Sequence, residues 1–97
     1  MTSSQPEGLE ALRDQIDGID AEVAELVAER LRVAEEVAAV KAEAGAAVVD
    51  VDREADVKSH YEEAFQRAGV DPEYGRDLAA YLIERSIERE EAVTTLE

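Results

Sequence analysis

The feature that most constrains this chain is a long apolar repeat without a proline. Between residues 9 and 43, Leu9, Leu12, Ile16, Ile19, Val23, Leu26, Val33, Val37 and Val40 recur at alternating three- and four-residue steps. That spacing predicts one long helix carrying a coiled-coil-like seam. At 1.5 Å per residue the helix spans roughly 50 Å. A globular domain of this size has a radius of gyration of only about 12–13 Å. The helix must project beyond its own chain's core, and an apolar seam along its whole length needs a partner. Homodimerisation through this helix, in a symmetric antiparallel arrangement, is the expected solution.

Two more helices follow. One is expected over residues 52–68, capped by Asp50 or Asp52 and stopped at Gly69. Another opens at Asp71 and Pro72, a capping residue followed by proline at the first helical position, and runs to about residue 93. Ser4 and Glu7 fit a capping box for the first helix, and Gly45 ends it. No strand pattern or repeat is present. The expected fold is therefore all-α, with three helices in a single domain over residues 1–97. Residues 1–7 and 94–97 are expected to be loose tails.

Composition narrows the partners. Ten basic residues against 25 acidic ones give a net charge of -15. That argues against nucleic acid and anionic membrane, which both require a basic face. No apolar run is long enough to span a bilayer. Residues 1–8 show neither the basic nor the apolar region of a signal peptide, so a cytoplasmic location is expected. The chain is Lys-poor, with eight Arg to two Lys. Such an acidic composition points to a salt-adapted protein, in which counterions screen self-repulsion. There is no Cys, no glycine-rich phosphate loop and a single His60. No metal or cofactor is expected, and His60, mid-helix among acidic residues, reads as a surface residue.

The seam has one flaw. The position between Leu26 and Val33 is Arg30, and a charge on a buried stripe is costly unless paired. A snorkelling or salt-bridged arginine would explain it, and so would an arginine that binds an anion inside the bundle. Lys41 lies eleven residues on, within about 20° of Arg30 around the helix and roughly 16 Å along it. Two long side chains so placed can converge on a small anion. Arg13 sits roughly 25 Å from Arg30 along the same axis, so it can share such an anion only across an antiparallel dimer. On the third helix, Ser86 and Glu90 lie one turn apart beside Ile83 and Ile87. They mark either a boundary face or a pocket wall.

Taken together, these residues resemble a known family. The set is Leu12 and Arg13, Ile16 and Asp17, Ile19 and Asp20, then Glu29, Arg30 and Leu31, then Val37, Val40 and Lys41. It continues through Asp50, Val51, Asp52, Arg53 and Glu54 to Ile83, Glu84, Arg85, Ser86 and Ile87. In order and spacing this is similar to the all-α, type II chorismate mutases. The resemblance implies an intertwined dimer of three-helix chains that share their long first helices. It implies that Arg13 reaches the partner chain's site, and that Arg30, Arg53 and Ser86 hold substrate carboxylates. Lys41 would contact a carboxylate and the ether oxygen, Asp50 and Glu54 the ring hydroxyl, and Glu90 the ether oxygen.

The implied reaction is the Claisen rearrangement of chorismate to prephenate in phenylalanine and tyrosine biosynthesis. It needs no nucleophile, metal or redox cofactor. Orientation of a flexible dianion and electrostatic stabilisation of the ether oxygen would supply the rate. Many bacterial members carry glutamine where this chain has Glu90. A glutamate donates a hydrogen bond only when protonated, so Glu90 is expected to act in that form. Two alternatives stand beside the mutase: an isochorismate-pyruvate lyase on the same fold, and a non-catalytic helical dimerisation or ligand-sensing module.

Overall fold

A computed structural model describes residues 6–95. It contains three helices: α1 over Leu9–Ala44, α2 over Val51–Arg67 and α3 over Pro72–Thr95. Gly8 is the N-cap of α1, at φ 84°. The capping box expected at Ser4 and Glu7 rests on Ser4, and positions 1–5 and 96–97 lie outside the described residues.

The remaining ends follow local chemistry. Gly45, at φ 68°, closes α1: its N–H donates to the Ala42 carbonyl, and Ala46 N–H donates to that of Lys41. Only a glycine takes this left-handed position without strain. Of the two candidate caps for α2, Asp50 is the one used, its Oδ1 accepting from Arg53 N–H at 3.1 Å. Asp71 Oδ1 accepts from Glu73 N–H at 2.9 Å at the start of α3.

The third helix is the centre of the fold. It packs against α1 on one side and α2 on the other, while α1 and α2 do not meet. Against α2 it buries Ala79 and Ile83 beside Val57, with Tyr61 and Ile87 at the margin. Gly75 lets the two backbones close: a Cβ there would lie 2.5 Å from the Tyr61 carbonyl oxygen. Against α1 the buried residues are Ala34 and Ala38. Small side chains permit this close approach. The valines of the seam, Val33, Val37 and Val40, are not what α1 buries against α3; they are 47%, 40% and 67% exposed.

The shape follows from the length of α1. The chain measures 65 × 29 × 14 Å, with a radius of gyration of 18.3 Å. That is well above the about 12–13 Å of a compact domain of this length. The whole is barely thicker than one helix, whose diameter is about 10–12 Å. The N-terminal half of α1 projects past the other helices. Its seam residues Leu12, Ile16, Ile19, Val23 and Leu26 are all at least half exposed. Among the described residues, no helix is long and apolar enough to cross a membrane.

Candidate active site

Because α1 and α2 flank α3 without touching, a groove remains between them with α3 as its floor. It holds a cavity of ≈ 330 Å³. Arg30 and Lys41 enter from α1, Asp50, Arg53 and Glu54 from the start of α2, and Ser86 and Glu90 from α3. Seven of the eight residues singled out in the sequence therefore meet in one place. The eighth, Arg13, does not: it lies on the projecting half of α1, away from this cavity.

Each polar group is held by its neighbours. Arg30 Nη1 donates to Ser86 Oγ at 2.5 Å and to the Leu82 carbonyl at 3.4 Å. The guanidinium on the seam is thus tied to the floor of the groove, and among the described residues it is not paired with a carboxylate. Ser86 and Glu90 are buried, 7% and 8% exposed, so they are pocket wall and not boundary face. Lys41 Nζ donates to the Val48 carbonyl at 2.7 Å, drawing the α1–α2 loop across one end of the groove. The same ammonium lies 3.8 Å from Glu90 Oε2. Asp50 and Arg53 are adjacent through the α2 cap. Glu54 Oε2 is buried and accepts no hydrogen bond among the described residues. A buried carboxylate oxygen without a donor is costly, and its position in the cavity wall suits a ligand hydroxyl.

The apolar walls are Val33, Val37, Val57, Ile83 and Ile87, with Val48 and Ala34. Val33 and Val37 thus serve the cavity, whereas the seam pattern had them facing a partner helix. The contribution of the Val48 carbonyl was not visible in the sequence, because a main-chain acceptor carries no residue signature. His60 is exposed on α2, away from the cavity.

The charge of the cavity is informative. Arg30, Lys41 and Arg53 bring three cations, and Asp50, Glu54 and Glu90 bring three carboxyl groups. One chain alone offers specific cations but no net positive charge when all six are ionised. Fixed guanidinium and ammonium donors against apolar walls, with a buried acceptor opposite, suit a small polycarboxylate that also bears a hydroxyl.

Fold and site together define a class: an all-α domain with a groove for a small carboxylate ligand between its outer helices. The family profile described as chorismate mutase type II matches residues 12–91. The chain belongs to the type II chorismate mutase family. It is also 33% identical over 78 residues to a T-protein of Enterobacter agglomerans. That match covers 80% of this chain and 21% of the relative, so the chain spans about a fifth of the length of the relative it matches.

Proposed function

We propose that this chain is a chorismate mutase that rearranges chorismate to prephenate as a homodimer. The observation that carries the reading is the meeting of Arg30, Lys41, Asp50, Arg53, Glu54, Ser86 and Glu90, from three helices, around one cavity.

The reaction is concerted. The ether carbon–oxygen bond breaks as a carbon–carbon bond forms within the same molecule, so no group of the enzyme is consumed. The chain's task is to hold the dianion in its compact reactive conformer and to meet the charge that grows on the ether oxygen. In this reading Arg30 and Arg53 hold carboxylates, with Ser86 adding a hydroxyl contact. Guanidinium forks suit that role because they bind carboxylates in a fixed geometry. Lys41 and the Glu90 carboxyl face the ether oxygen. Asp50 and the unsatisfied Glu54 Oε2 take the ring hydroxyl.

The charge count supports a second chain. A dianion is poorly matched to three cations and three carboxylates. Adding the partner's copy of Arg13 gives four cations against three carboxylates, a net of one positive charge. The exposed stripe on α1 and the one-helix thickness of the chain point the same way. A domain needs at least two packed layers to enclose a core. Antiparallel pairing of the projecting halves of α1 would cover the stripe and carry Arg13 toward the other chain's groove.

Incubation of the purified protein with chorismate and, separately, isochorismate tests the reading. Prephenate from chorismate supports it. Salicylate and pyruvate from isochorismate, without prephenate from chorismate, would replace it with the lyase. No turnover of either would leave a ligand-binding helical module.

A further inference from the structure

α1 is tied to α3 by the Arg30 contacts to Ser86 and Leu82, and beyond them the side chains that α1 buries are small. Ala34 and Ala38 are the buried residues of α1, and alanine faces carry little shape to stop one helix rotating or sliding on another. The groove, however, depends on that registry. Lys41 on α1 and Glu90 on α3 are 3.8 Å apart only because the two helices stand at one rotation.

On the far flank of the same contact, Arg89 of α3 reaches Glu35 of α1. Its Nε donates to Glu35 Oε1 at 2.7 Å, and its Nη2 pairs with the same oxygen. Both residues are chain neighbours of groove residues: Glu35 follows Ala34, and Arg89 precedes Glu90. Successive residues of a helix point about 100° apart. Clasping Arg89 to the outer flank therefore turns Glu90 into the groove, and clasping Glu35 turns Ala34 and Lys41 toward α3.

We infer that Glu35 and Arg89 are a positioning pair that fixes the rotation of α3 on α1 and so places the Glu90 carboxyl opposite Lys41. The inference rests on the mutase reading. Neither residue lines the cavity, so the pair acts through Glu90 and not on the substrate. Arg89 is 55% exposed along its side chain and Glu35 30%, so the pair adds little to global stability. Its effect is instead expected where ångström-scale placement matters, in turnover.

The experiment compares wild type, Glu35→Gln, Arg89→Gln and the exchange Glu35→Arg with Arg89→Glu, by chorismate turnover and thermal unfolding. Each single variant is expected to lower kcat about three- to tenfold, with KM changed less than about twofold. Unfolding midpoints should move by no more than about 4 °C. The exchange is expected to restore most of kcat. Turnover by the wild type with unchanged kcat in both single variants would overturn the positioning role alone. So would an exchange variant as slow as the singles, or a fall in kcat that tracks a large fall in unfolding midpoint. A wild type that does not turn over chorismate would overturn the functional reading and this role with it.

Discussion

Lys41 stands between two acceptors, with its ammonium 2.7 Å from the Val48 carbonyl and 3.8 Å from the Glu90 carboxylate. The shorter contact is local and holds the loop after α1. The longer one crosses to α3 and spans the groove. An ammonium with three donors can keep the first contact while turning another donor toward a bound ligand.

Removing that donor should cost catalysis more than stability. Lys41→Ala is expected to lower kcat by about 10²–10³-fold, the usual loss when one preorganised donor to a developing oxyanion disappears. Helical circular dichroism should be unchanged. A variant that keeps turnover within a few-fold of wild type would place the electrostatic work elsewhere in the groove.

Glu90 offers a test of a different kind. Only its protonated carboxyl can donate to an ether oxygen, and its ionised form adds a negative charge facing a dianion. Glutamine keeps the shape of the side chain and always has an N–H to donate, so Glu90→Gln is expected to keep or raise turnover. A loss of about tenfold or more in kcat, with helicity intact, would refute a donor role for this side chain.

Much of this arrangement was legible in the sequence, for reasons that differ by element. The seam made α1 long, and Gly45, Gly69 and the pair Asp71 and Pro72 punctuated the chain, because caps and breakers act locally. Arg30 was conspicuous as a charge on an apolar stripe. What the sequence left open was which flank of α1 meets α3. Ala34 and Ala38, the residues that do so, carry no signal in a chain rich in alanine. The valines beside them carry a strong signal but line the groove. The Arg89–Glu35 and Arg30–Ser86 contacts join residues more than 50 apart in the chain, which no local pattern encodes.

Gly75 gives a prediction for the fold itself. Alanine is the better helix former by about 1 kcal/mol, so Gly75→Ala would stabilise α3 in isolation. In place, the new methyl would sit 2.5 Å from the Tyr61 carbonyl oxygen and 2.9 Å from Phe65 Cδ1. Forcing a backbone apart in this way typically costs about 1–3 kcal/mol. The variant is expected to melt about 4–8 °C lower for each kcal/mol lost. An unchanged or raised melting temperature would mean that α2 and α3 separate more easily than their close contact implies.

The net charge of -15 sets an expectation for salt. At long range such a chain repels a dianion, and screening shortens that repulsion to about 3 Å at 1 M salt from about 10 Å at 0.1 M. Contacts inside the groove are at ion-pair distance and are screened less. KM for chorismate should therefore fall as salt rises over this range. A KM independent of salt, with helicity intact throughout, would remove the case for a salt-adapted protein.

The proposed dimer makes the sharpest demand, because it divides one site between two chains. If Arg13 serves the partner's groove while Lys41 serves its own, then Arg13→Ala and Lys41→Ala each disable both sites of their homodimer. Exchange of chains between the two variants creates heterodimers. In these, one site combines intact Lys41 with intact Arg13, and the other lacks both. With random assortment, half the dimers are mixed and each has one complete site, so an equimolar mixture should regain about a quarter of wild-type activity per chain. Ile19→Glu, placed in the exposed stripe on α1, should convert the protein to monomers by sedimentation and abolish this recovery. Two inactive variants that stay inactive after verified exchange would show that Arg13 does not act across the interface. Activity retained by a monomeric Ile19→Glu would show that one chain suffices.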